Sequence, residues 1–183
     1  TPEILPGAWL FFMDPDAQWN AVLDRLFVGS KFHRVPRYTF ELDKERFQTQ
    51  AHPPVCADFE VRPYDRELAA GARGLAELWG GLDNFLADGL GVAVLHGDEA
   101  VSRCHTIFVG RDEAEIGVET EEGYRRRGLA TSAARAFIEM CFERGLRPVW
   151  SCWFNNEASV GLAEQLGFIR GPDVPMVIVE SAS

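Results

Sequence analysis

The sequence has no closely spaced cysteines. Cys56, Cys104, Cys141 and Cys152 stand far apart, with no CxxC pair and no Cys/His ligand spacing, which argues against a zinc site. No apolar run approaches the length of a membrane span, and no signal-peptide pattern is present. Positive charge is scarce: 18 Lys and Arg face 28 Asp and Glu, for a formal net charge of −10. That balance argues against non-specific nucleic-acid binding, which needs a basic surface, and suits a cationic small molecule, which a negative field concentrates. Internal repeats and low-complexity segments are absent as well. These absences give the expectation of a cytoplasmic protein with free thiols, no metal, no membrane partner and no nucleic acid.

What is present is a chain of 183 residues, 46% apolar and 25% charged, enough to bury a sizeable core without disulfides. It opens at Thr1 rather than Met, which leaves room for residues upstream. "AWLFFM" (8–13) reads as a buried strand. The next stretch, 14–27, reads as a helix capped by Asp14 or Asp16, with Trp19, Val22, Leu23, Leu26 and Phe27 on one face. "HRVPRYTFEL" (33–42) reads as a strand kept near an edge by Pro36. "QTQAHPP" (48–54) is taken as a connection, dividing an N-terminal α/β extension (1–55), either complete or part of a larger N-terminal subdomain, from a main domain (56–183).

In the main domain a strand (57–65) precedes a helical stretch (65–89) split at Gly80–Gly81. Residues 91–120 hold three strand-like runs separated by "GDE" and "GRDE", the turn chemistry of an antiparallel meander. A helix (127–144) stopped by Gly145, a strand (147–154), a helix (155–166) stopped by Gly167 and a last strand (174–181) follow. The fold class is α/β (α+β): a mixed central sheet with helices on both faces, preceded by the small N-terminal α/β segment. The antiparallel order gives way to a parallel crossover near residue 120, a place where ligands favour the carboxyl end of a strand.

"GYRRRGLAT" (123–131) sits at that crossover. Cations at a helix N-terminus are disfavoured by the macrodipole, so three consecutive arginines there call for an anion or for simple solvation. Gly128 and Ala130 permit close approach, the first turn has N–H groups without intrahelical partners, and Arg126 and Arg127 add charge-assisted bonds. Together these describe a phosphate or pyrophosphate site.

The spacing Arg125-x-x-Gly128-x-Ala130 resembles the acetyl-CoA motif of the GNAT N-acetyltransferases. "NNEASVGLAEQLGF" (155–168) is similar to the second signature of that superfamily, with Asn156, Ser159, Leu162, Gly167 and Phe168 on its positions. Over residues 57–169 the chain resembles the GNAT subgroup named for the zwittermicin A resistance protein, and the strand "RVPRYTFE" resembles it more loosely. The resemblance implies a GNAT fold with acetyl-CoA as cosubstrate, wedged between two splayed central strands, and acetyl transfer to a primary amine. It implies that Val118 and Thr120 pair with the pantetheine arm and that the N–H groups of Arg126, Arg127, Gly128, Leu129, Ala130 and Thr131 hold the pyrophosphate. Asn156 matches the position that bonds the pantetheine from the other side.

The chemistry requires a proton acceptor for the amine, a donor for the thioester oxygen and, in some cases, an acid for the leaving thiolate. The Val118 N–H is the expected oxygen donor. Glu115 and Glu119 are the candidate bases, acting directly or through water, and solvated strand carboxylates are the equal alternative. Many relatives carry a tyrosine after the leucine matched by Leu162; Ala163 stands there instead. Tyr124, Cys152 and Ser159 are the candidate substitutes, or the thiolate leaves unprotonated. Cys104 and His105 are adjacent on a strand, face opposite sides and cannot form a pair. Three readings stay open: an N-acetyltransferase for a small cationic amine, as monomer or homodimer; a CoA-binding module with little or no catalysis; and an acetyltransferase for protein amines.

Overall fold

A computed structural model of the chain describes residues 9–13, 17–26, 31–51 and 56–180. The Asp14–Asp16 cap and Phe27 lie outside them. The elements run β1 (Trp9–Met13), α1 (Ala17–Leu26), β2 (Lys31–Leu42), α2 (Lys44–Thr49), β3 (Phe59–Pro63), α3 (Arg66–Ala70), α4 (Leu75–Leu78) and α5 (Leu82–Asp88). After these come β4 (Gly91–His96), β5 (Glu99–Val109), β6 (Glu113–Thr120), α6 (Leu129–Glu143), β7 (Arg147–Trp153), α7 (Glu157–Gln165), β8 (Phe168–Arg170) and β9 (Val174–Glu180).

All nine described strands join one sheet in the order β1-β9-β2-β7-β6-β5-β4-β3, with β8 pairing β2 beside β9. Only β6 and β7 pair in parallel; the rest is antiparallel. The mixed sheet expected from the element order is therefore present, and the change of direction falls after β6. The expected division near residue 55 lies at 52–55, outside the described residues, and β2 is hydrogen-bonded to β7, β8 and β9.

The two faces carry different helices. On one face α6 lays Leu129, Ala133, Phe137 and Cys141, spaced at a helical period, over Val92, Val94, Cys104, Ala114 and Ile116. Phe137 is fully buried, and it anchors the helix. On the other face α3–α5 form a smaller layer, with Leu68 against Ala93 and Leu95, and Ala69, Ala72, Leu75 and Phe85 clustered behind it. Strand alternation separates the two sets: Val92 and Val94 point one way, Ala93 and Leu95 the other.

Several local expectations needed correction. The helical stretch 65–89 is three short helices, because Gly71, Gly74, Gly80 and Gly81 interrupt it; Gly74, Gly80 and Gly81 have positive φ. The stretch 48–54 begins inside α2, which Asp43 caps through bonds from the Glu45 and Arg46 N–H groups. β8 follows Gly167 directly and is too short for an alternation pattern to show in sequence. Pro36 does not mark a sheet edge, since β2 lies between β9 and β7, yet the β7 ladder starts only at Arg37 and leaves that side open beside Pro36. In α1 only Leu23 of the expected apolar face is buried; Trp19 is 56% and Leu26 42% exposed.

Candidate active site

The site begins where two strands part. The parallel ladder of β6 with β7 runs only over Glu113–Arg147, Ala114–Pro148 and Glu115–Val149. Beyond it β6 continues to Thr120 along β5, and β7 continues to Trp153 along β2. The two strands therefore diverge from one fork, and the β6 edge after Glu115 has no ladder partner on the β7 side. The Glu121 N–H donates to the Val101 carbonyl at 2.9 Å, which turns the main-chain groups of Gly117, Glu119 and Glu121 toward β5. By alternation the groups of Val118 and Thr120 face the gap. Arg125 closes part of it, donating from Nε to the Thr120 carbonyl at 3.2 Å.

At the open end of the gap the chain turns into α6. A 3-10 turn (Glu122–Tyr124) is followed by Arg126 with φ 61° and Gly128 with φ 78°, both left-handed. No described residue accepts from the backbone N–H groups of Arg126 through Thr131, and Gly128 caps α6 without a side-chain bond. Six donors in a row beside the positive end of a fifteen-residue helix fit a bound anion. α6 starts at Leu129, so the arginines precede the helix rather than form its first turn. Each has its own place: Arg125 on Thr120, Arg127 donating to the Gly123 carbonyl at 3.2 Å with its guanidinium over the Tyr124 ring, and Arg126 exposed. An added Cβ at Gly128 would meet nothing within 4 Å, so the glycine is there for its φ as well as for access.

Across the gap, Asn156 caps α7 by accepting from the Ser159 N–H at 3.1 Å. Ser159 Oγ in turn accepts from Trp150 Nε1 at 3.0 Å. The Cys152 thiol lies in the core beside α7 and is pushed up by burial, and Ala163 is fully buried on the same side. Ser159 brings a hydroxyl to that helix, and the indole of Trp150 already engages it. Tyr124 is carried elsewhere: its hydroxyl meets His96 Nδ1 at 3.1 Å and its ring meets Phe59, so it sits over β3 and β4 rather than at the fork.

The face of β6 turned away from α6 carries Glu115, Gly117 and Glu119. Glu119 is exposed, opposite Arg103 of β5. Glu115 is not a solvated carboxylate. It is 6% exposed, accepts a hydrogen bond from Ser151 Oγ and lies with its Oε1 3.5 Å from Arg37 Nη2. Arg37 Nε also donates to Ser151 Oγ at 2.9 Å, and its guanidinium rests over the Trp153 ring.

On the same face His105 stands opposite Gly117, its Nδ1 3.3 Å from the Tyr64 hydroxyl, with Phe85 packed against both rings. Cys104 points into the core, so the two neighbours do face opposite sides. Burial, with the Arg103 charge adding to it, holds the His105 imidazole down at about 4, and burial raises the Tyr64 phenol. The folded value lies below the ordinary 6.5, so the unfolded chain binds the proton first. Stability is therefore expected to fall as pH drops from about 6.5 to 4, by up to roughly 3 kcal/mol for this group. Denaturant titrations of the protein and of His105→Gln between those pH values measure it; equal slopes would refute the assignment.

Among the described residues no group of three or more His, Cys, Asp or Glu side chains converges, and no helix is long and apolar enough to cross a membrane. Relatives supply the family. The model of the family described as GNAT acetyltransferase matches residues 2–173. The chain belongs to the GNAT acetyltransferase family. A protein of Bacillus subtilis (strain 168), named as the uncharacterized N-acetyltransferase YdfB, is 45% identical over 153 residues, which are 82% of this chain and 58% of that protein. This GNAT chain thus spans little more than half the length of that relative. A GCN5-related N-acetyltransferase-like protein from Streptococcus suis 89/1591 superimposes with a TM-score of 0.73 at 26% identity, covering 93% of this chain and 71% of that one. A protein from Novosphingobium aromaticivorans DSM 12444, named as a putative acetyltransferase from the GNAT family, superimposes with a TM-score of 0.69 at 16% identity, covering 97% of this chain and 76% of that one. At that identity the last comparison speaks for the fold alone.

Proposed function

We propose that this chain is the acetyl-transferring domain of an acetyl-CoA-dependent N-acetyltransferase acting on a primary amine of a small cationic molecule, in the subgroup that resembles the zwittermicin A resistance protein. The observation that carries this reading is the fork between β6 and β7, which ends beside six main-chain donors. Val118 and Thr120 supply a strand edge for the pantetheine amide groups, as another strand would. The N–H groups from Arg126 to Thr131 hold the pyrophosphate, with Arg126 and Arg127 adding charge. Asn156 faces the arm from β7's side, and Ser159 fixes the Trp150 wall. Acetyl-CoA supplies the activated acetyl group. The chain's own part is to orient it, to offer the Val118 N–H to its carbonyl oxygen and to take a proton from the amine on the face of Glu115 and Glu119. The net charge of −10 and the exposed Glu119 support a cationic acceptor.

Ala163, buried at the position where many members of the resembled superfamily carry a tyrosine, favours one rival, a CoA-binding module with little catalysis. Two measurements separate the readings. Acetyl-CoA at about 100 times its dissociation constant is expected to add roughly 2.7 kcal/mol of stability, and a panel of amines is expected to show free-thiol release. Stabilisation without release across the panel would favour the binding module. No stabilisation would overturn both.

A further inference from the structure

The base of the fork carries a feature that the cosubstrate site does not use. Three strands each place one side chain on the acceptor face there: Arg37 from β2, Ser151 from β7 and Glu115 from β6. Glu115 belongs to the last ladder pair, and Ser151 lies two residues beyond that pair, on the strand that borders the gap. Glu115 is 6% exposed, while Ser151 is only half-buried, so of the two bonded groups the serine is the more open to solvent.

A serine hydroxyl has one proton to donate and two lone pairs to accept with. The proton goes to Glu115 Oε1, and Arg37 Nε takes one lone pair at 2.9 Å. One lone pair remains. A buried carboxylate beside a guanidinium is a stable arrangement only when both are bonded, and Ser151 and Arg37 meet that need here.

We propose that Ser151 is a catalytic residue that relays the proton of the acceptor amine to Glu115, with Arg37 as the positioning residue that holds the hydroxyl in line. The inference rests on the acetyltransferase reading. The ammonium group gives one proton to Ser151 Oγ as Ser151 passes its own to Glu115. The freed nitrogen lone pair forms the N–C bond to the acetyl carbon, and the C–S bond breaks with its electron pair on sulfur. The second nitrogen proton neutralises that thiolate, so no side chain is needed at position 163. Glu115 then returns its proton to water through Ser151.

The test uses Ser151→Ala, Ser151→Thr and Glu115→Gln. Free-thiol release from acetyl-CoA is followed with 1,4-diaminobutane, spermidine and lysine as acceptors, and with water alone, which must lose a proton at the same point. Ser151→Ala is expected to lower kcat about 100-fold or more, with the KM for acetyl-CoA and its thermal stabilisation kept within about threefold. Ser151→Thr restores the hydroxyl and is expected to recover most of the rate. Glu115→Gln is expected to match Ser151→Ala, and the double variant to lose no more. A kcat for Ser151→Ala within threefold of the parent, or equal losses in the Ala and Thr variants, would overturn the relay and leave the acetyltransferase reading standing. A parent protein that acetyl-CoA neither stabilises nor loses its acetyl group to would overturn both.

Discussion

Gly128→Glu is expected to abolish stabilisation by acetyl-CoA while the protein still folds. The residue opens α6 at φ 78° and ψ 2°, in the middle of the six main-chain donors. A carboxylate there would compete for the same N–H groups and repel the pyrophosphate at close range. The roughly 2.7 kcal/mol expected at saturating ligand should fall to about zero. Folding itself should suffer less, because an added Cβ meets no atom within 4 Å; only the left-handed backbone opposes it, at about 1–2 kcal/mol. Gly128→Asn separates backbone from charge. Asparagine tolerates this φ and carries no charge, so its stabilisation by acetyl-CoA should persist. Paired melting curves with and without acetyl-CoA decide the matter. Undiminished stabilisation of the Glu variant would place the pyrophosphate elsewhere.

The run of six unengaged donors was legible in the sequence because it is local. Arg125 to Thr131 are contiguous, and a turn, a glycine and a helix start explain one another without reference to the rest of the chain. The crossover near residue 120 was legible from element order alone, since a meander followed by strand, helix and strand leaves few sheets to build. The individual arginines were not. Contact with Thr120, Gly123 and Tyr124 depends on how the 3-10 turn folds back, which composition does not encode.

The acceptor face was harder still. Alternation in "WSCWF" places Ser151 and Trp153 opposite Trp150 and Cys152, and alternation in "PRYTFEL" places Arg37 opposite Tyr38. Those parities are present in the sequence. What it lacks is the lateral order that sets β2 against β7 and β7 against β6, which alone brings Arg37, Ser151 and Glu115 together across more than a hundred residues. Glu115 therefore read as one of two equivalent strand carboxylates. The fold makes it buried and bonded, while Glu119 stays exposed. The place of Tyr124, one of the candidate acids, is hidden from the sequence for the same reason: a 3-10 turn carries its hydroxyl to His96.

The glycine of the second signature makes the complementary case, a motif residue whose work is structural. Gly167→Ala is expected to cost about 3 kcal/mol or more. Its φ is 90°, and a Cβ there would lie 2.8 Å from the Phe47 nitrogen and 3.1 Å from the Phe47 Cα, both backbone atoms of α2 that cannot swing aside. The Gly167 carbonyl also accepts the Asp43 N–H at 3.2 Å, at the cap of that helix. Left-handed backbone accounts for about 1–2 kcal/mol and forced overpacking for about 1–3 kcal/mol more. Gly145→Ala isolates the first contribution, since Gly145 has φ 71° and open space around its Cβ position. Urea midpoints of the two variants should therefore differ, with Gly167→Ala much the weaker protein; equal losses would show that α2 yields. The close approach matters for the site because Phe168 follows at once. That ring is 2% exposed and packs on Trp150 at 5.5 Å, and Trp150 reaches Ser159 at the start of α7. Seating α7 and β8 against α2 thereby fixes the β7 side of the fork, so the Gly-Phe pair of the signature shapes the gap between β6 and β7 through packing.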